Sequence, residues 1–153
     1  MNVRHICAIR VIVLGSLLIE SGLVPGCIGP RRVSDKDIRV VSMSQVAAKM
    51  DAQLSEPDER KLLLIDSRSK AKYDAGHIPG ARHMLLSDES TAMKRDEWID
   101  SFDEIVIYAD NPGSASAKAL VKRMLTKRYD DVRLFPGGYA QWTKAGLPTE
   151  AAE

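Results

Sequence analysis

The feature that most restricts the fold of this chain is a continuous run of apolar residues from Leu62 to Ile65. A strand with one face in water alternates apolar and polar residues, whereas a strand covered on both faces is apolar throughout. The run therefore predicts a central strand of a parallel sheet. Further strands are predicted at residues 39–42, 81–84, 104–108 and 132–135. Because helical patterns separate these strands, we expect an α/β fold with a parallel sheet, whose ligands bind beyond the carboxyl ends of the strands.

The spacing of apolar residues predicts where the helices lie and which residues they bury. The first helix is capped by Ser44 and buries Val46, Ala47, Met50 and Leu54. A short helix passes through Tyr73, and residues 93–102 are predicted to be helical with an inward face of Trp98, Ile99 and Phe102. The helix that follows residue 114 is predicted to bury Ala117, Leu120, Val121, Met124 and Leu125, and to expose Lys118, Lys122, Arg123 and Lys127. A last helix starts at Gly137 and ends before Pro148.

The stretch VIYADNPGSAS, residues 106–116, is a strand that turns through small residues into a helix. Asn111-Pro112-Gly113 favours a turn, and Ser114 or Ser116 is predicted to cap the helix. Such a junction directs backbone N–H groups and the positive end of a helix toward one point, where an anion or a nucleophile is stabilised. The predicted pocket consists of the loop residues Asp110, Asn111, Pro112, Gly113, Ser114, Ala115 and Ser116, together with Asp66, Arg68 and His77.

Size and charge exclude several classes of protein. The chain has 153 residues, 44% of them hydrophobic, which fits one globular domain and leaves no room for a second. The formal net charge is +1, and no basic run is interleaved with aromatic residues. We therefore predict no nucleic-acid partner. The histidines and carboxylates lack the spacing of metal ligands, so neither a metal nor another cofactor is predicted.

The first residues resemble a bacterial export signal. Arg4 and Arg10 precede an apolar run from Val11 to Ile19, which is too short to span a bilayer. Leu23-Val-Pro-Gly-Cys27 then resembles the cleavage site of a lipoprotein, where the cysteine is acylated. This predicts a signal peptide at 1–26, a linker at 27–37 and a domain at 38–153, with a lipid anchor on Cys27. Plain secretion and an uncleaved anchor are the alternatives.

Two consequences follow if Cys27 is acylated. Because Ile28, rather than Asp, follows the cysteine, the anchor is predicted in the outer membrane, facing the periplasm. The chain has two cysteines, Cys7 and Cys27, so cleavage removes one and acylation blocks the other. The mature domain would then contain no free thiol and no disulfide.

Three stretches give the chain a clear resemblance to the rhodanese-like domain family: LLLIDSRSKAKYDAGHIPGARHM (62–84), IVIYADNPGSASAKAL (105–120) and LFPGGYAQWTKAGLP (134–148). The resemblance implies a small α/β domain with a parallel five-stranded sheet. It also implies descent from sulfurtransferases, whose cysteine follows the strand that matches Ile105–Tyr108 and carries a persulfide. In this sequence Ala109 stands at that position.

Alanine supplies no nucleophile, and the other candidates are weak. Asp110 at a strand end lacks the surroundings of a phosphotransfer aspartate, and Ser114 or Ser116 would need His77 or His83 as a base. We expect His77 to anchor its turn by hydrogen bonds. Asp66 is expected to accept backbone N–H bonds at the strand end and Arg68 to make an ion pair, with a pocket-lining Arg68 that attracts an anion as the alternative.

The sequence thus favours an inactive rhodanese-like domain that works as an envelope-anchored binding module. Its predicted partners are an envelope protein or a small anion held by loop amides, and the membrane through Cys27. One alternative is a sulfurtransferase that uses a thiol supplied by a partner protein or a small molecule. A third possibility is a domain that persists without a defined ligand.

Overall fold

The computed structural model describes residues 32–57, 60–88 and 95–152. The predicted signal peptide, Cys27 and the first part of the predicted linker lie outside the described residues. In chain order the strands and α-helices are β1 (Arg39–Val40), α1 (Met43–Ser55), β2 (Leu62–Asp66), α2 (Lys70–Ala75), β3 (Arg82–His83), β4 (Glu104–Tyr108), α3 (Ala115–Thr126), β5 (Val132–Phe135) and α4 (Gly138–Lys144). Single 3₁₀ turns occur at Asp35–Asp37 and Ile99–Ser101. None of the helices in the described ranges is long and apolar enough to cross a bilayer.

The five strands form one parallel sheet in the order β1-β5-β4-β2-β3. Strands β2 and β4 pair along their whole length, from Leu62 opposite Glu104 to Asp66 opposite Tyr108. All residues of both strands are buried, because helices cover both faces of the sheet. The predicted α/β fold with a parallel five-stranded sheet is therefore confirmed.

Alternate residues of the central strands enter two separate apolar clusters. Leu63, Ile65, Ile105, Ile107 and Ala109 belong to the cluster that packs against α3. Leu62, Leu64, Val106 and Tyr108 belong to the cluster that contains Val46 of α1 and Trp142 of α4. This period of two places Ala109, which directly follows β4, on the α3 side of the sheet.

Helix α1 begins earlier and packs differently than predicted. Its cap is Ser42, whose hydroxyl accepts from the Gln45 amide at 3.3 Å while the Gln45 side chain accepts from the Ser42 amide at 2.9 Å. This reciprocal capping box is more favourable than a cap at Ser44. Leu54 is 83% exposed rather than buried. Gln53 faces the sheet instead and accepts a hydrogen bond from the Leu62 amide.

Two other predictions of the helical pattern are corrected. Within the described part of residues 93–102, the predicted helix is only the 3₁₀ turn Ile99–Ser101; Ile99 is buried, but Trp98 is 38% exposed. On α3 the five predicted core residues are buried. Lys127 at its end is buried rather than exposed, with its ammonium 3.6 Å from Asp96.

Candidate functional site

Ala109 lies at the point where β4 ends, and its side chain belongs to the core. The residue is 3% exposed and is part of the apolar cluster that includes Ile107 and Ala117. The methyl group therefore packs beneath the loop and offers no reactive atom to a substrate.

The loop after Ala109 uses its own backbone amides internally. The Gly113 amide donates to the Asn111 side chain at 2.9 Å, and the Ser114 amide donates to the Asn111 carbonyl at 3.0 Å. The Asn111 amide donates to the Ser114 hydroxyl at 3.3 Å, and Pro112 has no N–H. The prediction that the loop amides are free to hold an anion is therefore wrong for three of them: the Asn111, Gly113 and Ser114 amides already have acceptors within the loop.

The predicted serine caps are also corrected. Ser114 precedes α3, but its side chain makes no capping bond to the helix, since the hydroxyl accepts from the Asn111 amide. Ser116 follows Ala115, the first residue of α3, and its hydroxyl contacts that of Ser67 at 3.2 Å. The Ser114 hydroxyl thus bonds within the loop, the Ser116 hydroxyl contacts the residue after β2, and neither is paired with His77 or His83.

The first turn of α4 fixes the loop from the other side. The Tyr139 amide donates to the Ala109 carbonyl, and the Ala140 amide donates to the Asp110 carbonyl, both at 2.8 Å. Gly138 has φ +60°, and a Cβ at this position would lie 2.4 Å from the Ala109 carbonyl oxygen. Only glycine allows this close backbone contact.

The partner of the ion pair predicted for Arg68 is Asp66, at the end of β2. Asp66 accepts from the Arg68 amide at 2.9 Å, and its two oxygens accept from the Nε and Nη2 atoms of the guanidinium at 2.7 to 3.0 Å. Nη2 also donates to the Gly76 carbonyl at 2.6 Å, and the guanidinium lies 3.9 Å from the centre of the Tyr139 ring. Burial acts to lower the pKa of Arg68, but the hydrogen bonds and charge of Asp66 outweigh it and raise the pKa.

The two histidines are held by hydrogen bonds. His77 stacks on Tyr73, with ring centres 3.8 Å apart, and its two nitrogens contact the Tyr73 carbonyl at 2.9 Å and the Glu150 carboxylate at 3.1 Å. His83 Nε2 contacts the Arg68 carbonyl at 2.8 Å. His77 thus anchors its turn, as expected, and neither ring contacts Ser114 or Ser116 as a general base would.

A shallow cleft of about 280 Å³ lies beside the loop, lined by Arg68, Lys72, Ala75, Gly76, Asp110 and Tyr139. Asp110 reaches into it: one carboxylate oxygen is 2.6 Å from Lys72 Nζ and the other is 3.9 Å from Arg68 Nη1. Arg68 therefore both pairs with Asp66 and lines the cleft. The ion pair and the cleft-lining role, which the sequence offered as alternatives for Arg68, are both present in the structure.

Sequence reasoning missed Lys72, Tyr139 and Glu150. Lys72 lies on a short exposed helix, where a lysine carries no signal. Glu150 joins the His77 turn through the Gly80 amide at 2.7 Å as well as through His77 itself, a contact between distant parts of the chain. In the described ranges, no group of three His, Cys, Asp or Glu residues lies close enough to hold a metal ion.

Known proteins with similar sequences share this domain. The model of the family described as "Rhodanese-like domain" matches residues 46–145. A probable 3-mercaptopyruvate sulfurtransferase of Pseudomonas aeruginosa is 33% identical over 130 residues, which cover 66% of this chain and 44% of that protein. The chain therefore spans less than half the length of this relative.

Solved structures share the fold. A thiosulfate sulfurtransferase of P. aeruginosa has a TM-score of 0.58 at 24% identity, over 81% of this chain and 20% of that one. A full-length protein of Lactobacillus plantarum has a TM-score of 0.60 at 21% identity, over 74% of this chain and 88% of that one. At these identities the likeness shows the fold alone.

Proposed function

Because the chain belongs to the rhodanese-like domain family and is related to sulfurtransferases, we propose that it is a member without sulfurtransferase activity that works as a binding module. The observation that carries this proposal is the buried methyl group of Ala109 at the end of β4, where the active members carry their cysteine. Sulfur transfer needs a thiolate that attacks the donor and then holds the sulfur. Alanine does neither.

The geometry of the loop supports the same proposal. A thiolate is stabilised by free amides and positive charge, yet the Asn111, Gly113 and Ser114 amides donate within the loop. Asp110, directly after Ala109, adds a negative charge beside the position. The surroundings of residue 109 are thus unsuited to an anionic nucleophile.

We propose further that this module is anchored in the outer membrane of the bacterial cell envelope and faces the periplasm. The support comes from the sequence alone: charged residues, a short apolar run and a lipoprotein-type site ending at Cys27. An envelope protein is the proposed macromolecular partner.

One alternative function has a structural observation in its favour. The cleft beside the loop presents Arg68 and Lys72, whose charges would suit an anionic sulfur donor. In this alternative the domain positions the donor, and a partner or a small thiol carries the sulfur.

Sulfur transfer from thiosulfate to cyanide by the purified full-length chain tests the proposal. The assay is run without a thiol and with added glutathione, beside a cysteine-bearing family member as the positive control. We expect no turnover above the protein-free rate in either condition. Turnover without thiol would overturn the proposal, and turnover that depends on glutathione would favour the alternative.

A further inference from the structure

The Asp110 carboxylate lies between two cations of the cleft. Its Oδ2 is 2.6 Å from Lys72 Nζ, and its Oδ1 is 3.9 Å from Arg68 Nη1. The contact with Lys72 joins residues 38 positions apart, on the β4–α3 loop and on α2. A carboxylate from the loop thus occupies the place where a free anion would meet both cations.

Arg68 is held in place by hydrogen bonds through Nε and Nη2, and it presents Nη1 to this cleft. Its side chain is 4% exposed, and Nε and Nη2 are taken by Asp66 and the Gly76 carbonyl. The Tyr139 ring covers the guanidinium at 3.9 Å. Nη1 faces Asp110, but 3.9 Å is beyond hydrogen-bond distance. The internal carboxylate therefore does not hydrogen-bond this donor, which stays available to a ligand in the cleft.

Charge balance explains what the contact does. The side chains of Asp66, Arg68, Lys72 and Asp110 are formally neutral together. Without the Asp110 charge the cleft would carry one net positive charge, with the Lys72 ammonium and Arg68 Nη1 both free to donate. Such a pair of donors fits an anion with several oxygens.

We propose that Asp110 is an internal ligand of this cleft, which excludes oxyanions from it in the free protein. The cleft binds a tetrahedral oxyanion only when the Asp110 side chain moves away. This inference rests on the proposed binding function. A tetrahedral oxyanion is preferred over a free carboxylate because it has more oxygens with which to accept from Lys72 and Arg68 Nη1 at once and, as sulfate, carries two negative charges rather than one.

Opening the cleft needs only a side-chain movement. The backbone on both sides of the Asp110 side chain is fixed, since the Ala109 and Asp110 carbonyls accept from the Tyr139 and Ala140 amides. Asp110 is 36% exposed at its side chain, so the carboxylate has solvent into which it can rotate. The loop itself stays in place.

Sulfate titration followed by NMR of the ¹⁵N-labelled full-length chain tests the inference, with ionic strength held constant by chloride. We expect Asp110→Asn to bind sulfate at least about tenfold more tightly than the native chain, with shifts centred on the Lys72, Gly76 and Tyr139 amides. Acetate is titrated in parallel and is expected to bind Asp110→Asn more weakly than sulfate does. Circular dichroism checks that each variant is folded.

Two further variants separate a local effect from a general change of charge. Asp74→Asn removes the same charge from α2, where Asp74 pairs with Lys70, and is expected to leave sulfate affinity unchanged. Asp110→Asn combined with Lys72→Gln is expected to lose the gain. The inference is overturned if Asp110→Asn binds sulfate no better than the native chain, if Asp74→Asn gives the same gain, or if acetate binds as tightly as sulfate. These results are independent of the sulfur-transfer assay, in which turnover without added thiol would instead overturn the proposed function.

Discussion

Ala109 differs from cysteine by one sulfur atom, but its surroundings differ from those of a reactive thiol in more than that atom. The side chain is buried among apolar residues, and the neighbouring amides of Asn111, Gly113 and Ser114 have acceptors of their own. Apolar burial raises the pKa of a thiol, whereas free amides lower it. The loss of activity that we propose is therefore built into the loop as well as into residue 109.

We predict that Ala109→Cys does not restore sulfur transfer. The introduced thiol should titrate at or above its ordinary pKa of about 8.5, because it gains burial without free amides. The pH dependence of its alkylation by iodoacetamide, followed on the residue 109 peptide by mass spectrometry, measures this pKa. Free cysteine alkylated under the same conditions is the reference, because the proposed processing removes Cys7 and blocks Cys27. Thiosulfate-dependent turnover well above that of the native chain would show that the loop amides rearrange around a thiolate.

The Asp66–Arg68 pair is expected to be structurally important because both partners are buried. Arg68→Met would leave the Asp66 carboxylate in the interior without its charged partner. We expect the free energy of unfolding to fall by about 3 to 5 kcal/mol, measured by urea denaturation. Arg60→Met is the matched control, since Arg60 pairs with Asp131 at 3.2 Å but is 66% exposed. That exposed pair should contribute no more than about 1 kcal/mol, and similar losses in the two variants would contradict the prediction.

At the scale of elements, the contact between α4 and the loop depends on one glycine. A methyl group at Gly138 would lie 2.4 Å from the Ala109 carbonyl oxygen, and the left-handed φ of +60° adds strain. Gly138→Ala must therefore break the hydrogen bonds from Tyr139 and Ala140 that fix the loop.

We predict that Gly138→Ala lowers the free energy of unfolding by more than Gly146→Ala does. Gly146 has a similar φ of +71° but nothing within 4 Å of the added methyl, so its cost should be limited to about 1 to 2 kcal/mol of backbone strain. Urea denaturation measures the difference, and hydrogen exchange at the Tyr139 and Ala140 amides should be faster in Gly138→Ala. Equal losses would mean that the loop moves away without cost.

The sequence predicts elements well where the signal is local. The apolar runs at Leu62–Ile65 and Ile105–Tyr108 identify the two central strands, because burial on both faces leaves no alternation. Prediction fails where the outcome depends on how elements pack. Leu54 fits the apolar stripe of α1, yet Gln53 is the residue that contacts the sheet. The burial of Lys127 beside Asp96 depends on a segment 31 residues away in the chain.

In the candidate site, too, prediction succeeds for local features and fails for features that depend on tertiary contacts. The position of the loop, the backbone N–H bond to Asp66 and the presence of Arg68 in an ion pair follow from local sequence. The hydrogen bonds by which Asn111 and Ser114 occupy the loop amides do not follow from local sequence, because these residues occur both in turns with free amides and in turns whose amides are bonded internally. The contact of Asp110 with Lys72 needs the tertiary structure, since an exposed lysine on a six-residue helix carries no signal of its own.

At the scale of the whole molecule, the proposed location rests on Cys27. We predict that Cys27→Ser abolishes incorporation of labelled palmitate into the protein, because the acyl chains would have no attachment site. Cys7→Ser is the matched control: it removes a cysteine from the segment that cleavage discards and should leave the incorporation unchanged. Metabolic labelling followed by immunoprecipitation measures both.

Incorporation of palmitate into Cys27→Ser would contradict a lipid anchor on this residue. Intact-mass spectrometry of the membrane-extracted native protein provides a second measurement. An acylated N-terminal Cys27 is expected, and an intact Met1 would contradict cleavage.

The strand order also determines when the domain can be completed during synthesis. Strand β1, the first to be made, pairs only with β5, the last strand to be made. Until residues 132–135 have been added to the growing chain, β1 has no neighbour and β4 has only one of its two. A sheet connected in this way cannot be completed before residue 135 has been translated. If the protein is exported as we propose, the nascent chain would reach an export machinery that requires unfolded polypeptides before its sheet is complete.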